Sequence, residues 1–491
     1  MKKPAEPYKA PPLAVSLVPV AVLMAAIAVV VRKFGSDSLN GASQVALLIS
    51  AAVAAAISVL FYRTGWRRLE NAIVDNVRSV TTGIIILLLI GAVAGTWMTS
   101  GIVPTFICYG LKIISPRFFL LSTCLICAVV SLITGSSWTT VATVGVALLG
   151  VGRAQGFETG WIAGAIISGA YFGDKISPLS DTTVMASSVV GVPLFTHVKY
   201  MLVTTVPSLV VALAVFGVAG FSHTVTDTAE IARLSNALSD TFDINGWLMI
   251  VPLLTCVMIA FRLPSMVTLF CSAVAAAVAM LVFQPQILPQ IVEGGDAVKA
   301  FFVSICGSTS VSLGLPEFND LVATRGMAGM MNTVWLIVCA MCFGGVMIGS
   351  GMLGSIVDSL TRRVRSAAGS VAATVGLGIF CNTCTADQYL SIILTGKMMR
   401  SVYERNGLEG RLLSRATEDS ATVTSVLVPW NTCGMTQSTV LGIATLTYLP
   451  YCIFNLVSPL MSILIAATGY KIKHLRPDTA AKTVQDPKNG A

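Results

Sequence analysis

Charge is what this sequence has least of. Only 11% of its 491 residues are Asp, Glu, Lys or Arg, while 55% are hydrophobic. So few charges cannot cover the surface of a water-soluble fold, and the composition is that of a polytopic membrane protein. Histidine is scarcer still, with three residues. The lone Cys381-Asn-Thr-Cys384 pair therefore has no second pair and no nearby histidine, and says little for metal or redox chemistry. Seven other cysteines (108, 124, 127, 256, 271, 339 and 342) sit in apolar runs, where they read as small hydrophobes. No small-residue cleavage site follows the basic start MKKPAEPYKAPP, so Leu13 to Val31 reads as a retained span, not a signal peptide. The net charge of +8 lies in short loops, where it sets orientation, and implies no nucleic-acid partner.

What the chain does have is long apolar runs, about ten of which approach the ~20 residues that cross a bilayer. They fall near 13–31, 44–62, 81–100, 160–190, 200–221, 247–262, 265–283, 331–351, 410–443 and 444–468. The expected fold is an all-α polytopic membrane protein. Two further apolar stretches, 118–150 and 367–397, have polar centres, Gly135-Ser-Ser-Trp-Thr-Thr140 and Cys381 to Gln388. Each reads as two half-length helices meeting at a polar tip, hence a re-entrant hairpin. The segment 64–80 is basic and amphipathic and reads as an interfacial helix. Residues 284–330 form a longer, more polar connection without a motif.

The most pointed feature is Gly173-Asp-Lys-Ile-Ser-Pro-Leu-Ser-Asp-Thr-Thr183, which interrupts an apolar helical run. A charge at the centre of a membrane helix costs about 2.5–3.5 kcal/mol on insertion scales and marks an ion or substrate pathway by default. A helix broken by Gly and Pro at that depth needs protein or a cavity around its freed backbone. The stretch predicts a discontinuous helix built to hold something polar.

The two halves of the chain are related in pattern. Gly95, Ser100 and Gly101 recur 250 residues on as Gly345, Ser350 and Gly351, and Pro178 recurs 251 residues on as Pro429. The spacing predicts two repeats, 13–221 and 247–468, each with about five transmembrane helices, a re-entrant hairpin and one broken helix. A linker, 222–246, separates them, and tails 1–12 and 469–491 flank them. Lys2, Lys3, Lys9, Arg63, Arg67, Arg68 and Arg78 place the N-terminus and second loop inside, and the acidic 222–245 outside. The basic residues between Arg362 and Arg405, with Lys471, Lys473 and Arg476, place the later loops and C-terminus inside. An odd number of crossings per half gives an inverted repeat, as in many secondary transporters. Lys112, Arg117 and Arg153 run against this arrangement.

Four polar clusters carry the candidate chemistry. The first tip offers Ser136, Ser137, Thr139 and Thr140. The first broken helix offers Asp174, Ser177, Ser180, Asp181, Thr182 and Thr183. The second tip offers Asn382, Thr385 and Asp387, and the second broken helix offers Asn431 and Thr432. Hydroxyls, amides, carboxylates and freed carbonyls are oxygen ligands that suit Na⁺, and broken helices aim dipole ends at a bound ion. A carboxylate that binds Na⁺ when ionised and a proton when empty couples the two by competition. Asp174, Asp181 and Asp387 are the proton-coupling candidates, with Na⁺ itself at Asp181, Thr182 and Asp387.

Plainer readings stand beside these. About half of such hydroxyls bond within or between helices. Lys175 has the alternative role of neutralising Asp174. Arg415, Glu418 and Asp419 read equally as a solvated network at the inner membrane edge, and His197 as an interfacial histidine. Asp174 and Asp387 also admit a hydrolytic reading, as an intramembrane aspartyl dyad.

The strings GSSWTTVATVG (135–145), AGAIISGAYFGDKISPLSDTT (163–183), DQYLSIILTGKM (387–398) and LSRATEDSATVTSVLVPWNTCG (413–434) resemble the NhaC family of Na⁺/H⁺ antiporters. Further matching strings, at 95–104, 194–201 and 450–455, spread the resemblance over most of the chain. It implies an inner-membrane secondary transporter, not an enzyme, with paired hairpins and broken helices in a mobile domain. It implies no cofactor, Na⁺ and H⁺ as the ions moved, membrane lipid around the protein and a homodimer. Carriers of small organic anions or amino acids are similar in fold, and Val184 stands where members of the family often carry Asn. Na⁺- or H⁺-coupled transport of an organic acid or amino acid is therefore the alternative.

Overall fold

The computed structural model describes residues 10–34, 41–222, 228–261, 263–315, 319–361 and 364–475. Lys2, Lys3, Lys9, Asp227, Arg362, Arg363 and the tail from Arg476 lie outside them, as do the expectations placed on those residues. Among the described residues the architecture is helical, with only two isolated β-bridges, Thr309 with Thr324 and Leu408 with His474. Among the described residues eight helices are long and apolar enough to cross a membrane, or up to ten if each of two bent pairs forms one span. The chain is an all-α polytopic membrane protein.

Helix boundaries repeat along the chain. Helix Thr81–Thr99 is followed by Gly101 at φ +81°, and helix Met331–Gly349 by Gly351 at φ +70°. Helix Phe119–Thr134 ends in a left-handed corner at Gly135, and helix Ala367–Thr385 ends in one at Ala386. Helix Asp181–Val190 stops at left-handed Gly191, and helix Thr432–Leu441 at left-handed Gly442. The partners in these pairs lie 250 or 251 residues apart. The sequence pattern thus reaches the backbone, through left-handed corners that end helices at the same places.

Both hairpins form, with legs longer than expected. Their first legs hold 16 and 19 residues. The second legs run from Ser137 to Ala154, through a π-helical turn at Val141–Gly145, and from Gln388 to Arg405. The polar tips end helices without shortening them, because Ser136 and Asp387 cap the next helix at once. Both long runs predicted to be broken are broken. The first is Thr159–Ile176 and Asp181–Val190. The second is a succession of Gly410–Thr417, a π-helix Glu418–Thr422, a 3₁₀ turn Ser425–Leu427 and Thr432–Leu441. Two helices that the apolar runs did not announce, Ile102–Ile113 and Met352–Thr361, follow the paired glycines.

The amphipathic segment forms helix Trp66–Ser79. It packs on Met331–Gly349, burying Leu69 and donating from Asn76 Nδ2 to the Met341 carbonyl at 2.8 Å. The helix Thr159–Ile176 lies tight against Phe119–Thr134. Ser131 Oγ donates to the Ala170 carbonyl at 2.6 Å. A Cβ on Gly169 would run into the Cys124 carbonyl group, its carbon 2.9 Å away. The approach of these two helices sets Asp174 beside the first tip. Gly169→Val should therefore destabilise the purified protein by about 1–3 kcal/mol, the usual cost of overpacking, read as a lower melting temperature. An unchanged melting temperature would mean that the helices do not meet this closely.

Candidate functional site

A cavity of about 1070 Å³ opens where the tips and breaks meet. Its wall includes Ser136, Ser137 and Thr139 from the first tip and Asp174, Ser180, Asp181 and Thr182 from the first broken helix. Asp387 comes from the second tip and Thr432 from the second broken helix. Nine of the fifteen candidates therefore share one space, though they come from four separate segments. The other six, Thr140, Ser177, Thr183, Asn382, Thr385 and Asn431, are fully buried behind that wall.

Hydrogen bonds fix the wall. Asp174 accepts at one oxygen from the Ser137 hydroxyl (2.6 Å) and backbone N–H (3.2 Å), and at the other from Ser180 Oγ (2.6 Å). Ser180 and Thr182 share a hydrogen bond of 2.9 Å. Asp387 caps its helix by accepting from Leu390 N at 2.9 Å, and its second oxygen accepts from Thr432 Oγ1 at 3.2 Å. Asp181 differs from both. It is exposed on the cavity wall and its carboxylate accepts no hydrogen bond from a described residue. Four helices present their N-terminal residues here, namely Ser137, Asp181, Gln388 and Thr432, and so turn the positive ends of their dipoles to the cavity.

The buried candidates satisfy the broken backbone. The carbonyls of Ala421, Thr422 and Val423, freed by the π-helix and the break, accept in turn from Asn382 Nδ2 (2.8 Å), Gln388 Nε2 (3.0 Å) and Asn455 Nδ2 (2.8 Å). Asn431 caps helix Thr432–Leu441 and donates to the Asn382 carbonyl at 3.1 Å. Thr385 bonds to Ser391 across its own tip, and Thr183 donates to the Lys175 carbonyl at 2.9 Å. In a non-aqueous surround a carbonyl without a donor costs several kcal/mol, so these amides and hydroxyls are the condition for having breaks at all.

The structure corrects three side-chain assignments. Lys175 does not neutralise Asp174. Its ammonium reaches the other way, pairs with Asp419 and donates to Ser458 Oγ at 3.0 Å, while Thr204 Oγ1 donates to Asp419 at 3.0 Å. Arg415, Glu418 and Asp419 are no solvated edge network, since all three are fully buried with Lys175. They are enclosed because the second broken helix packs against both the second hairpin and the long helix Leu194–Ser222. His197 is fully buried as well, with Nδ1 bonded to Ser414 Oγ at 2.8 Å.

Sequence reading missed Trp138, Tyr389 and Lys397 in the wall. Trp138 and Tyr389 each stand two residues past a tip cap, a position from which the tips could have announced them. Lys397, three turns along its helix, had no such signal.

Predominantly helical in its described residues, with polar groups gathered at helix breaks around a cavity, the protein has the architecture of secondary transporters. The chain belongs to the Na⁺/H⁺ antiporter family, whose sequence pattern matches residues 6–185 and 169–470. It is 37% identical to the Na⁺/H⁺ antiporter NhaC of Alkalihalophilus pseudofirmus, over 86% of this chain and 89% of that one. It is 36% identical to a malate-2H⁺/Na⁺-lactate antiporter of Bacillus subtilis, over 89% and 91% of the two chains. It is 30% identical to the arginine/ornithine antiporter ArcD of Halobacterium salinarum, over 98% and 97%.

Lys175→Met should destabilise the fold by about 3–5 kcal/mol by removing the closest partner of the buried Asp419 charge and leaving it the longer contact to Arg415 at 3.8 Å. The double variant Lys175→Met/Asp419→Leu should recover part of that loss in the same melting assay, the remainder reflecting Arg415, which then loses Asp419 as its partner. Equal melting of the single variant and the wild type would show that the pair is not buried.

Proposed function

We propose that the protein exchanges Na⁺ for H⁺ across the inner membrane by alternating access. The observation that carries this reading is the gathering of three carboxylates, Asp174, Asp181 and Asp387, with serine and threonine hydroxyls on the wall of one cavity. No group of three His, Cys, Asp or Glu side chains converges among the described residues. A cation held here draws on hydroxyl and backbone oxygens as well as carboxylates, a donor set that suits Na⁺.

Asp181, Thr182 and Asp387 would hold the ion. Asp181 leads the coupling because its oxygens have no competing donor and face the open cavity. With Na⁺ bound it is ionised; once Na⁺ leaves, a proton takes the same oxygens, and the two cargoes exclude each other. Asp174 and Asp387 carry donors already and act chiefly as fixed parts of the wall.

The same reading carries an inverted arrangement of the halves, cytoplasmic termini and a homodimer. The helix boundaries repeated at 250 or 251 residues and the basic loops support the first two; the homodimer rests on the family resemblance.

The runner-up is Na⁺- or H⁺-coupled transport of a small carboxylate or amino acid. One observation favours it, the four helix N-termini at a cavity far larger than a sodium ion. Val184, 42% exposed at its wall, would then face the organic part of the solute. The relatives named for malate, lactate, arginine and ornithine are in keeping with it. Hydrolysis by an aspartyl dyad has less support. Such a dyad shares a proton between adjacent carboxyls, whereas Asp174 bonds to Ser137 and Ser180, and Asp387 to Leu390 and Thr432.

In proteoliposomes carrying a pH dye, Asp181→Asn should abolish Na⁺-driven proton movement while the protein still inserts and folds. Exchange at the wild-type rate would remove Asp181 from the coupling role. If malate, lactate or an amino acid raised the melting temperature and Na⁺ alone did not, the runner-up would replace the main reading.

A further inference from the structure

The mechanism above leaves one set of buried ionisable groups unused. Behind the cavity, four ionisable side chains lie fully buried together, Lys175 from the first broken helix and Arg415, Glu418 and Asp419 from the second. None of Arg415, Glu418 and Asp419 lines the cavity. Two of the four are matched: Lys175 and Asp419 pair, with Ser458 and Thr204 completing their hydrogen bonds. The other two lack hydrogen bonds among the described residues. Neither oxygen of Glu418 accepts a hydrogen bond from a described residue, and none of the three guanidinium nitrogens of Arg415 donates one. Arg415 stacks instead on the Tyr200 ring, 4.7 Å from its centroid, with Nε 3.8 Å from Asp419.

Glu418, with no partner among the described residues, and Arg415, with only its long contact to Asp419 and its stack on Tyr200, are three residues apart and straddle the start of the π-helix Glu418–Thr422. Residues three apart on a helix are neighbours and pair readily. Here they do not, and a buried ion without partners is a state a protein avoids by neutralising it. Every group that bears on Glu418 is already committed. Lys175 is spent on Asp419, Asp174 faces the first tip, and the Thr422 hydroxyl lies alongside without completing a bond. On the helices packed around it, His197 is held by Ser414 and Tyr403 by Thr374. Helix Ile453–Ala467 carries no ionisable side chain, and the ionisable group of Asp181–Val190 is Asp181, in the cavity wall. An uncharged Glu418 fits this setting; an ionised one needs Arg415 to swing from Tyr200 towards it.

We infer that Glu418 is a second proton-carrying group of the exchange cycle, protonated in the arrangement seen here and paired with Arg415 once the proton leaves. The π-helical turn that begins at Glu418 supplies the slack for that change, and such turns recur at functional sites. Lys175 links the switch to the cavity. It adjoins Asp174, so a shift of its partner Asp419 on the Glu418 segment pulls on the residue that holds the first tip. This inference rests on the Na⁺/H⁺ exchange reading.

The test compares wild type, Glu418→Gln and Glu418→Asp, each as the full chain in proteoliposomes. Two rates are measured over a range of pH, Na⁺-driven proton flux and the exchange of radioactive for unlabelled Na⁺. The second moves no proton and reports an intact fold and cavity. Glu418→Gln should keep Na⁺/Na⁺ exchange near the wild-type rate and lose about tenfold or more of the coupled flux, as when a proton-transferring side chain is removed. Glu418→Asp should restore coupled flux with a displaced pH profile. Wild-type coupled flux and pH profile in Glu418→Gln would overturn the inference alone. Absence of Na⁺-driven flux in the wild type would overturn the exchange reading and this inference with it. If Glu418→Gln does not fold, Glu418→Asp decides: a pH profile superimposed on the wild type overturns the proposal, and a displaced one supports it.

Discussion

Every broken helix in a membrane protein must find donors and acceptors for the backbone it frees, and this requirement organises the structure. Each break here is answered from a tip. At the first, the N–H and hydroxyl of Ser137 reach Asp174, and Gly135 lies so close to Leu179 that a Cβ would stand 2.7 Å from its carbonyl carbon. At the second, Thr432 N–H donates to the Ala386 carbonyl at 2.8 Å, while Asn382 and Gln388 serve the carbonyls of Ala421 and Thr422. Ala386 holds a left-handed conformation at φ +57°, worth about 1–2 kcal/mol of strain for a residue with a Cβ. The hydrogen bond its carbonyl makes offsets part of that cost. Tips and breaks exist as pairs, and neither is stable without its partner.

The cavity follows from this pairing. Helices that stop at a shared level leave their N-termini facing one space, and the residues nearest those ends are the caps and first-turn acids, Ser136, Asp181, Asp387 and Asn431. Chemistry and architecture therefore use the same side chains. Asp387 shows the overlap most plainly, since one oxygen caps a helix and the other bonds to Thr432 at the cavity wall. The Lys175–Asp419 pair then ties the first broken helix to the second. A buried pair of this kind is weak evidence for stability and better suited to specifying one arrangement out of two, which is what alternating access requires.

Much of this was legible in the sequence because membranes penalise polar residues sharply. Any apolar run interrupted by Asp174 to Thr183, or by Thr385 and Asp387, had to break there, and the matching offsets located the second break from the first. The fate of individual side chains was less legible. Asn382 reads as an ion ligand but supports a carbonyl; Lys175 reads as the partner of Asp174 but turns to Asp419, 244 residues away. Spacing along a chain says which residues lie near a break, not which way each points, and long-range packing decides that. Helix Ile102–Ile113 escaped notice for a related reason, since at twelve residues it is too short to register as a span.

The central claim is that Na⁺ alone is a sufficient partner for proton movement through this cavity. It is tested most directly by recording the internal pH of proteoliposomes that hold the wild-type protein as Na⁺ is added, and again with malate, lactate or an amino acid present. The account predicts proton movement on addition of Na⁺ alone, little changed by the organic solutes. A vesicle that stays silent until an organic solute is supplied would contradict it.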